Sequence, residues 1–135
     1  MKQPVDTTLY ESLHILIVDD QVVMRRIIRQ LLGQKNIKNI AEAESGEKAL
    51  EYIRRHTAET PDVIICDLYM ENMDGMEFAH QMWRDKSLIP VIILTGEHDE
   101  FILDVTKQAG ATKVMTKPVS AEELVLAIGE VVGAV

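Results

Sequence analysis

LHILIVDDQVVMRR, residues Leu13 to Arg26, decides how this chain is read. Ile15-Leu16-Ile17-Val18 is apolar at every position, and it ends abruptly in Asp19-Asp20. A strand without polar alternation is covered on both faces, as in a parallel sheet flanked by helices. Two like charges at the mouth of such a strand repel each other, so their presence needs a reason.

The same pattern recurs along the chain. Val63-Ile64-Ile65-Cys66 runs into Asp67, and Val91-Ile92-Ile93-Leu94 runs into Thr95-Gly96. Weaker strands are expected around Asn39 to Glu44 and Lys113 to Thr116, the latter meeting Lys117-Pro118. Helical patterns fill the gaps. Val23, Ile27 and Leu31 recur at helical spacing and predict the inward face of a helix over 22–32, with Gly33 as its stop. Ser45 caps the next helix, where Ala49, Leu50 and Ile53 share a face before Thr60-Pro61. Asp74-Gly75-Met76-Glu77 is a capping-box variant opening a helix that reaches about Arg84. Phe101 to Ala109 is a helix ended by Gly110. Ser120-Ala121-Glu122-Glu123 opens the last one, with Leu124, Ala127, Ile128 and Val131 on one side.

Five strands alternating with five helices predict an α/β fold, a doubly wound five-stranded parallel sheet of order 2-1-3-4-5 with helices on both faces. In that order strands one and three flank the switch point, and ligands bind outside the carboxyl ends of the strands. Asp19 and Asp20, Asp67, Thr95 and Lys117 end strands one, three, four and five. The chemistry-bearing residues therefore gather at one edge.

Composition narrows the function. The chain has 135 residues, 47% of them hydrophobic and 27% charged, with neither linker nor repeat, which predicts one globular domain over 13–135. The net charge of -8 argues against nucleic acid. Arg25, Arg26, Arg29 and Lys35 fall close together around a helix, and are expected to form a solvated face or meet an acidic partner. The single Cys66 excludes an internal disulfide and points to a reducing, cytoplasmic setting. No apolar run approaches a membrane span, and residues 1–12 read as a short leader without the apolar stretch of a signal peptide.

Three carboxylates in one crevice call for a cation, because uncompensated like charges raise one another's pKa. Hard oxygen ligands without His or Cys favour Mg²⁺ or Mn²⁺. Lys117 and Thr95 suit an anion brought to that metal, and a phosphoryl group fits both. Asp67 can accept such a group covalently, since an ionised carboxylate is already a nucleophile. Taken singly, each residue has a plainer reading: an aspartate after a strand is commonly a turn or cap residue, and Lys-Pro is an ordinary turn. Their coincidence at one edge of one sheet favours chemistry.

ILIVDDQVVMRRIIRQLL, PDVIICDLYMENMDGMEF, PVIILTGE and AGATKVMTKPVSAEEL together resemble the receiver domains of bacterial two-component response regulators. The resemblance is to the single-domain chemotaxis type in particular, a standard example of this strand order. It implies a flavodoxin-like receiver fold, with Asp67 phosphorylated by a sensor histidine kinase or phosphotransfer protein. It implies that Asp20 binds Mg²⁺ directly and Asp19 mainly through water, with the Tyr69 backbone carbonyl completing the protein ligands. Thr95 would be the switch hydroxyl, Lys117 the phosphoryl ion pair, and the Lys117-Pro118 bond cis. The first helix, around Met24 to Leu31, would receive the kinase. Output to a downstream protein target would pass through the face of helix four, strand five and helix five. There the sequence departs from the family: Val114 holds the position of an aromatic switch, three residues before the lysine. Glu71 stands where proline is common, and Tyr69 and Glu97 flank the expected path of the attacking water.

A diffusing effector, a phosphorelay intermediate, a phosphate sink and a piece cut from a longer protein all accommodate these residues. A phosphohydrolase of the haloacid dehalogenase kind would carry its nucleophile after the first strand in an Asp-x-Asp pattern, which Asp19-Asp20 and the late Asp67 do not match. A scaffold without phosphorylation would have no use for the full residue set.

Overall fold

The computed structural model describes residues 10–133. Its elements run β1 (His14–Val18), α1 (Val22–Gly33), β2 (Asn39–Ala43), α2 (Gly46–Arg55), β3 (Val63–Asp67), α3 (Gly75–Arg84), β4 (Val91–Thr95), α4 (Glu100–Ala109), β5 (Lys113–Thr116) and α5 (Ala121–Val132). The sheet is parallel throughout in the order β2-β1-β3-β4-β5, as the alternation of patterns predicts.

Side chains of a strand alternate between faces, so the unbroken apolar runs supply two cores at once. Ile15, Ile17, Ile65 and Ile92 point to the side covered by α1 and α5, where they meet Ile28, Leu32, Leu124 and Ile128. Leu16, Val18, Ile64 and Ile93 point to the other side, against Leu50 of α2 and Phe78 and Met82 of α3. All eight strand residues are 0% exposed. Each such side chain contributes on the order of 1.5–3 kcal/mol by leaving water, which anchors the strand ends that carry the site.

The caps are those read from the sequence. Ser45 accepts from the Lys48 amide (3.1 Å) and Asp74 from the Glu77 amide (2.8 Å). Ser120 and Glu123 form a reciprocal capping box. The fourth helix opens one residue earlier than expected, at Glu100, because Asp99 caps it.

Three expectations need correction. In α1 the inward stripe is Ile28 and Leu32, with Leu31 at its margin, whereas Val23 and Ile27 are 61% and 41% exposed. The doublets Val22-Val23, Ile27-Ile28 and Leu31-Leu32 offer two stripes of equal helical spacing. The one adjoining Arg25 and Arg29 turns inward, and both guanidiniums bind Glu42 on β2. Gly33 ends this helix as its last residue, one position later than expected, and without a left-handed backbone. The chain turns at Asn36, whose φ of 63° is the left-handed conformation that asparagine tolerates. Finally, Tyr10 belongs to the stretch read as a leader, yet it is 1% exposed and packs into the core with Leu13. Its ring lends the apolar area that draws it inward. The rest of that stretch, residues 1–9, lies outside the described residues.

Candidate functional site

The carboxyl ends of β1 and β3 lie side by side, and the acids that follow them converge. One oxygen from each of Asp19, Asp20 and Asp67 lies within 4.8 Å of the others. Asp19 is buried: its amide donates to the Ala43 carbonyl (3.1 Å), extending the β1–β2 ladder by one residue. Its Oδ1 accepts from the Gln21 amide at 2.9 Å. Its Oδ2 is buried with no hydrogen-bond partner among the described residues. Asp20 is exposed, and its Oδ2 accepts from the Glu71 amide at 3.3 Å. Asp67 is half-buried, its Oδ1 accepting from the Leu68 amide (3.0 Å) and from Lys117 Nζ (3.4 Å).

Two backbone features hold this geometry. Gly75, the first residue of α3, donates its amide to the Leu68 carbonyl at 2.7 Å. A Cβ there would sit 2.3 Å from the Asp67 carbonyl oxygen, so only glycine lets the helix approach the strand end this closely. The Lys117 amide donates to the Thr95 carbonyl (2.7 Å), which ties the end of β5 to that of β4, and the Lys117-Pro118 bond is cis. Thr95 is fully buried, and its Oγ1 accepts from the Glu97 amide at 3.1 Å. A hydroxyl that accepts there keeps its own proton for another acceptor.

Electrostatics matches the crowding. Burial pushes the Asp19 carboxyl above its ordinary pKa, against the hydrogen bond from Gln21, and the Asp67 charge adds to the rise. Burial likewise raises Asp67, and the Lys117 ammonium only partly opposes it. A buried carboxylate oxygen without a donor, beside two more carboxylates, fits a hard divalent cation. Cys66 does not compete as a ligand: burial pushes its thiol well up, and it packs with the α2–α3 core.

The structure thus brings Asp19, Asp20, Asp67 and Lys117 together, and Thr95 and Tyr69 line the same open cleft. Val114 stands apart, half-buried and packed against the α2–α3 core. The basic group also reads differently in three dimensions. Arg25 and Arg29 both bind Glu42, and Lys35 pairs with Glu122, so three of these cations meet acids of the same chain. Sequence reasoning missed the Glu71 amide on Asp20, which no side-chain pattern reveals. It also missed a hydrogen bond from Arg25 Nη1 to the Asp19 carbonyl at 2.7 Å. The Tyr69 hydroxyl donates to the Glu97 carboxylate across the cleft, joining the two positions expected to flank the path of an attacking water.

Among the described residues no helix is long and apolar enough to cross a membrane. The response regulator receiver domain model matches residues 15–129. The protein named "Probable chemotaxis protein CheY" of Rhizobium etli is 32% identical over 129 residues, covering 94% of this chain and 98% of that protein. Transcriptional regulatory protein PdtaR of Mycobacterium tuberculosis is 28% identical over 84% of this chain, which spans only 54% of that relative's length. Among solved structures, Vibrio cholerae chemotaxis protein CheY4 superposes with a TM-score of 0.76 at 27% identity, covering 88% of this chain and 98% of that one. A response regulator receiver domain protein from Clostridium thermocellum gives 0.80 at 27% identity, covering 90% and 94%. With a matching fold and a family model over most of its length, the chain belongs to the response regulator receiver domain family.

Proposed function

We propose that the chain is a cytoplasmic phosphoacceptor signalling domain of a two-component system, phosphorylated on Asp67 with Mg²⁺ as its cofactor. The observation that carries this reading is the trio Asp19, Asp20 and Asp67, with Lys117 Nζ 3.4 Å from Asp67 and one Asp19 oxygen buried without a donor among the described residues. The donor is a phosphohistidine of a sensor kinase or phosphotransfer protein. An Asp67 carboxylate oxygen attacks phosphorus, the P–N bond breaks, and the imidazole leaves with the bonding pair and takes up a proton from solvent. Asp20, Asp19 through water, Asp67 and the Tyr69 carbonyl would hold the metal, which when bound neutralises charge on the transferring oxygens. Lys117 offers a second positive charge to those oxygens, and the free proton of Thr95 can be donated to one of them. Hydrolysis reverses the gain, with water as the acceptor at phosphorus.

The resulting charge at Asp67 biases a pre-existing equilibrium rather than creating a new fold. Thr95 ends β4 in register with Thr116 of β5 and lines the cleft that holds Asp67, so output runs through α4, β5 and α5 to a protein target. Val114 has no ring to swing between positions, so in this chain the carrying side of the switch is Thr95. The reading calls for neither nucleic acid nor membrane as a partner.

Intact-mass spectrometry after incubation with acetyl phosphate and Mg²⁺ tests it. One phosphoryl group should be gained, and lost in Asp67→Ala and after chelation. A folded wild-type protein that gains nothing would leave the acid cluster without this function.

A further inference from the structure

The β1–α1 turn that carries Asp19 and Asp20 is held from outside the acid cluster. Arg25, on the first turns of α1, donates Nη1 to the Asp19 carbonyl at 2.7 Å and Nε to Glu42 at 2.9 Å, and its side chain is 15% exposed. Glu42 sits on β2, whose next residue, Ala43, accepts the Asp19 amide at 3.1 Å. The Asp19 peptide groups are thus gripped on both sides, one by β2 directly and one by β2 through Arg25. Arg29 takes the other Glu42 oxygen at 2.7 Å, so the anchor is itself braced. Burial pushes the Glu42 carboxyl up, and hydrogen bonds from Arg29 and Arg25 more than reverse this, holding it below its ordinary pKa and charged.

The carbonyl that Arg25 holds belongs to the peptide joining Asp19 to Asp20. Its plane sets the direction in which Asp20 leaves the strand, and among the described residues the Asp20 carboxylate is held only by the long 3.3 Å hydrogen bond from the Glu71 amide. We propose that Arg25 is a positioning residue for the divalent-cation site, orienting the Asp19-Asp20 peptide through its fork between the Asp19 carbonyl and Glu42. This rests on the phosphoacceptor reading above, and it assigns to a helix residue outside the acid trio a part in binding the metal. A planar guanidinium can span both acceptors at once, whereas an ammonium is a point charge that serves one or the other.

The test is a Mg²⁺ titration followed by the backbone amide resonances of Asp67 and Leu68, together with thermal melts of the same samples. Outer-shell partners of metal ligands are worth about tenfold or more in affinity, so Arg25→Ala should raise the Mg²⁺ Kd by about tenfold. Arg25→Lys, which keeps the charge and the bulk, should show most of that loss. Arg29→Ala, which touches Glu42 but not Asp19, should leave the Kd within twofold while lowering the melting temperature slightly. At saturating Mg²⁺ the rate of phosphoryl gain from acetyl phosphate should return to near wild type in Arg25→Lys, since the nucleophile and Lys117 are untouched. If Arg25→Ala melts lower but binds Mg²⁺ as wild type does, Arg25 is structural only and the proposal fails. If Arg25→Ala does not fold, Arg25→Lys decides: full retention of affinity overturns the role of the fork. A wild-type protein that binds no divalent cation would remove the phosphoacceptor reading itself, and this inference with it.

Discussion

The two ends of the sheet handle buried polar groups in opposite ways. At its amino end, His14 opens β1 almost fully buried, and its backbone is matched twice by Asp62: its amide donates to Oδ2 (2.7 Å), and its carbonyl accepts the Asp62 amide (2.8 Å). Its Nε2 lies 3.0 Å from the Tyr52 hydroxyl. Thr112 repeats the device before β5, with its Oγ1 accepting the Val91 amide (3.0 Å) and its amide meeting the Val91 carbonyl (2.8 Å). At the carboxyl end, three carboxylates crowd together and one buried oxygen, that of Asp19, finds no donor among the described residues. The same short strand, β1, carries both solutions. Away from the acids the Tyr10 hydroxyl is also buried without a partner among the described residues, but only at the carboxyl end does the open oxygen stand among like charges, the setting that a cation would relieve.

The sharpest way to break this contrast is to remove the ammonium that already faces Asp67 at the acidic end. Lys117→Ala should slow phosphoryl gain by about 10²-fold, the cost of losing a preorganised charge from a transition state. Mass spectrometry over a time course checks it. A rate within a few-fold of wild type would mean that Lys117 only balances Asp67 in the resting protein.

Asp19→Asn should weaken Mg²⁺ binding by about tenfold or more and yet raise the stability of the metal-free protein at neutral pH, by about 1 kcal/mol or roughly 4 °C in Tm. The sign follows from burial. A carboxyl whose folded pKa lies above its unfolded value binds protons more tightly in the native state, so stability is lost as pH rises from below about 3.9 through the raised folded value. Melts in chelator should show the gain of Asp19→Asn at pH 7 and its disappearance at pH 3. A variant less stable than wild type at pH 7 would make Asp19 a folding residue like His14.

Tyr52→Phe perturbs the other end. It leaves the His14 ring without its hydroxyl partner and should cost about 1 kcal/mol in denaturant unfolding, with the Mg²⁺ Kd unchanged. A change in Kd without a change in stability would contradict the division of labour between the two ends.

The strands, their order and the acids at their mouths were legible in the sequence because each depends on residue type along a single line of chain. Ile15 to Val18 needs no partner to declare itself doubly covered, and Asp67 follows the same kind of run. The inward face of α1 was not legible, since Val23-Ile27 and Ile28-Leu32 satisfy the helical period equally well and only Glu42 on a neighbouring strand breaks the tie. Arg25 was hidden by the same ambiguity: read as part of a solvated basic face, it is an inward-lying group bound to the Asp19 carbonyl. The amide of Glu71 on Asp20 lay beyond reach for a different reason, because backbone donors carry no residue signature.

The smallest expected effect sits at the mouth of the cleft, where the acidic end acquires one closed polar pair of its own. Tyr69 is 55% exposed, and its hydroxyl donates to Glu97. Glu97 is fixed further by the amides of His98 (3.2 Å) and Asp99 (3.0 Å) on its other oxygen, and the hydrogen bond from Tyr69 holds its carboxyl below the ordinary range. The pair bridges the loops after β3 and β4, over the cleft that contains Asp67 and Thr95. Water that hydrolyses a phosphoryl group on Asp67 must approach phosphorus opposite the Asp67 oxygen, and a ring tethered across the opening obstructs that approach. One exposed hydrogen bond is a weak tether, so Tyr69→Ala should shorten the phosphoryl half-life by roughly two- to fivefold. Tyr69→Phe should fall between Ala and wild type, because the ring stays and only the tether goes. The decay of the phosphorylated mass after donor removal measures both. An unchanged or longer half-life in Tyr69→Ala would show that the bridge does not shield the site, and that the closed pair is surface chemistry of no consequence to turnover.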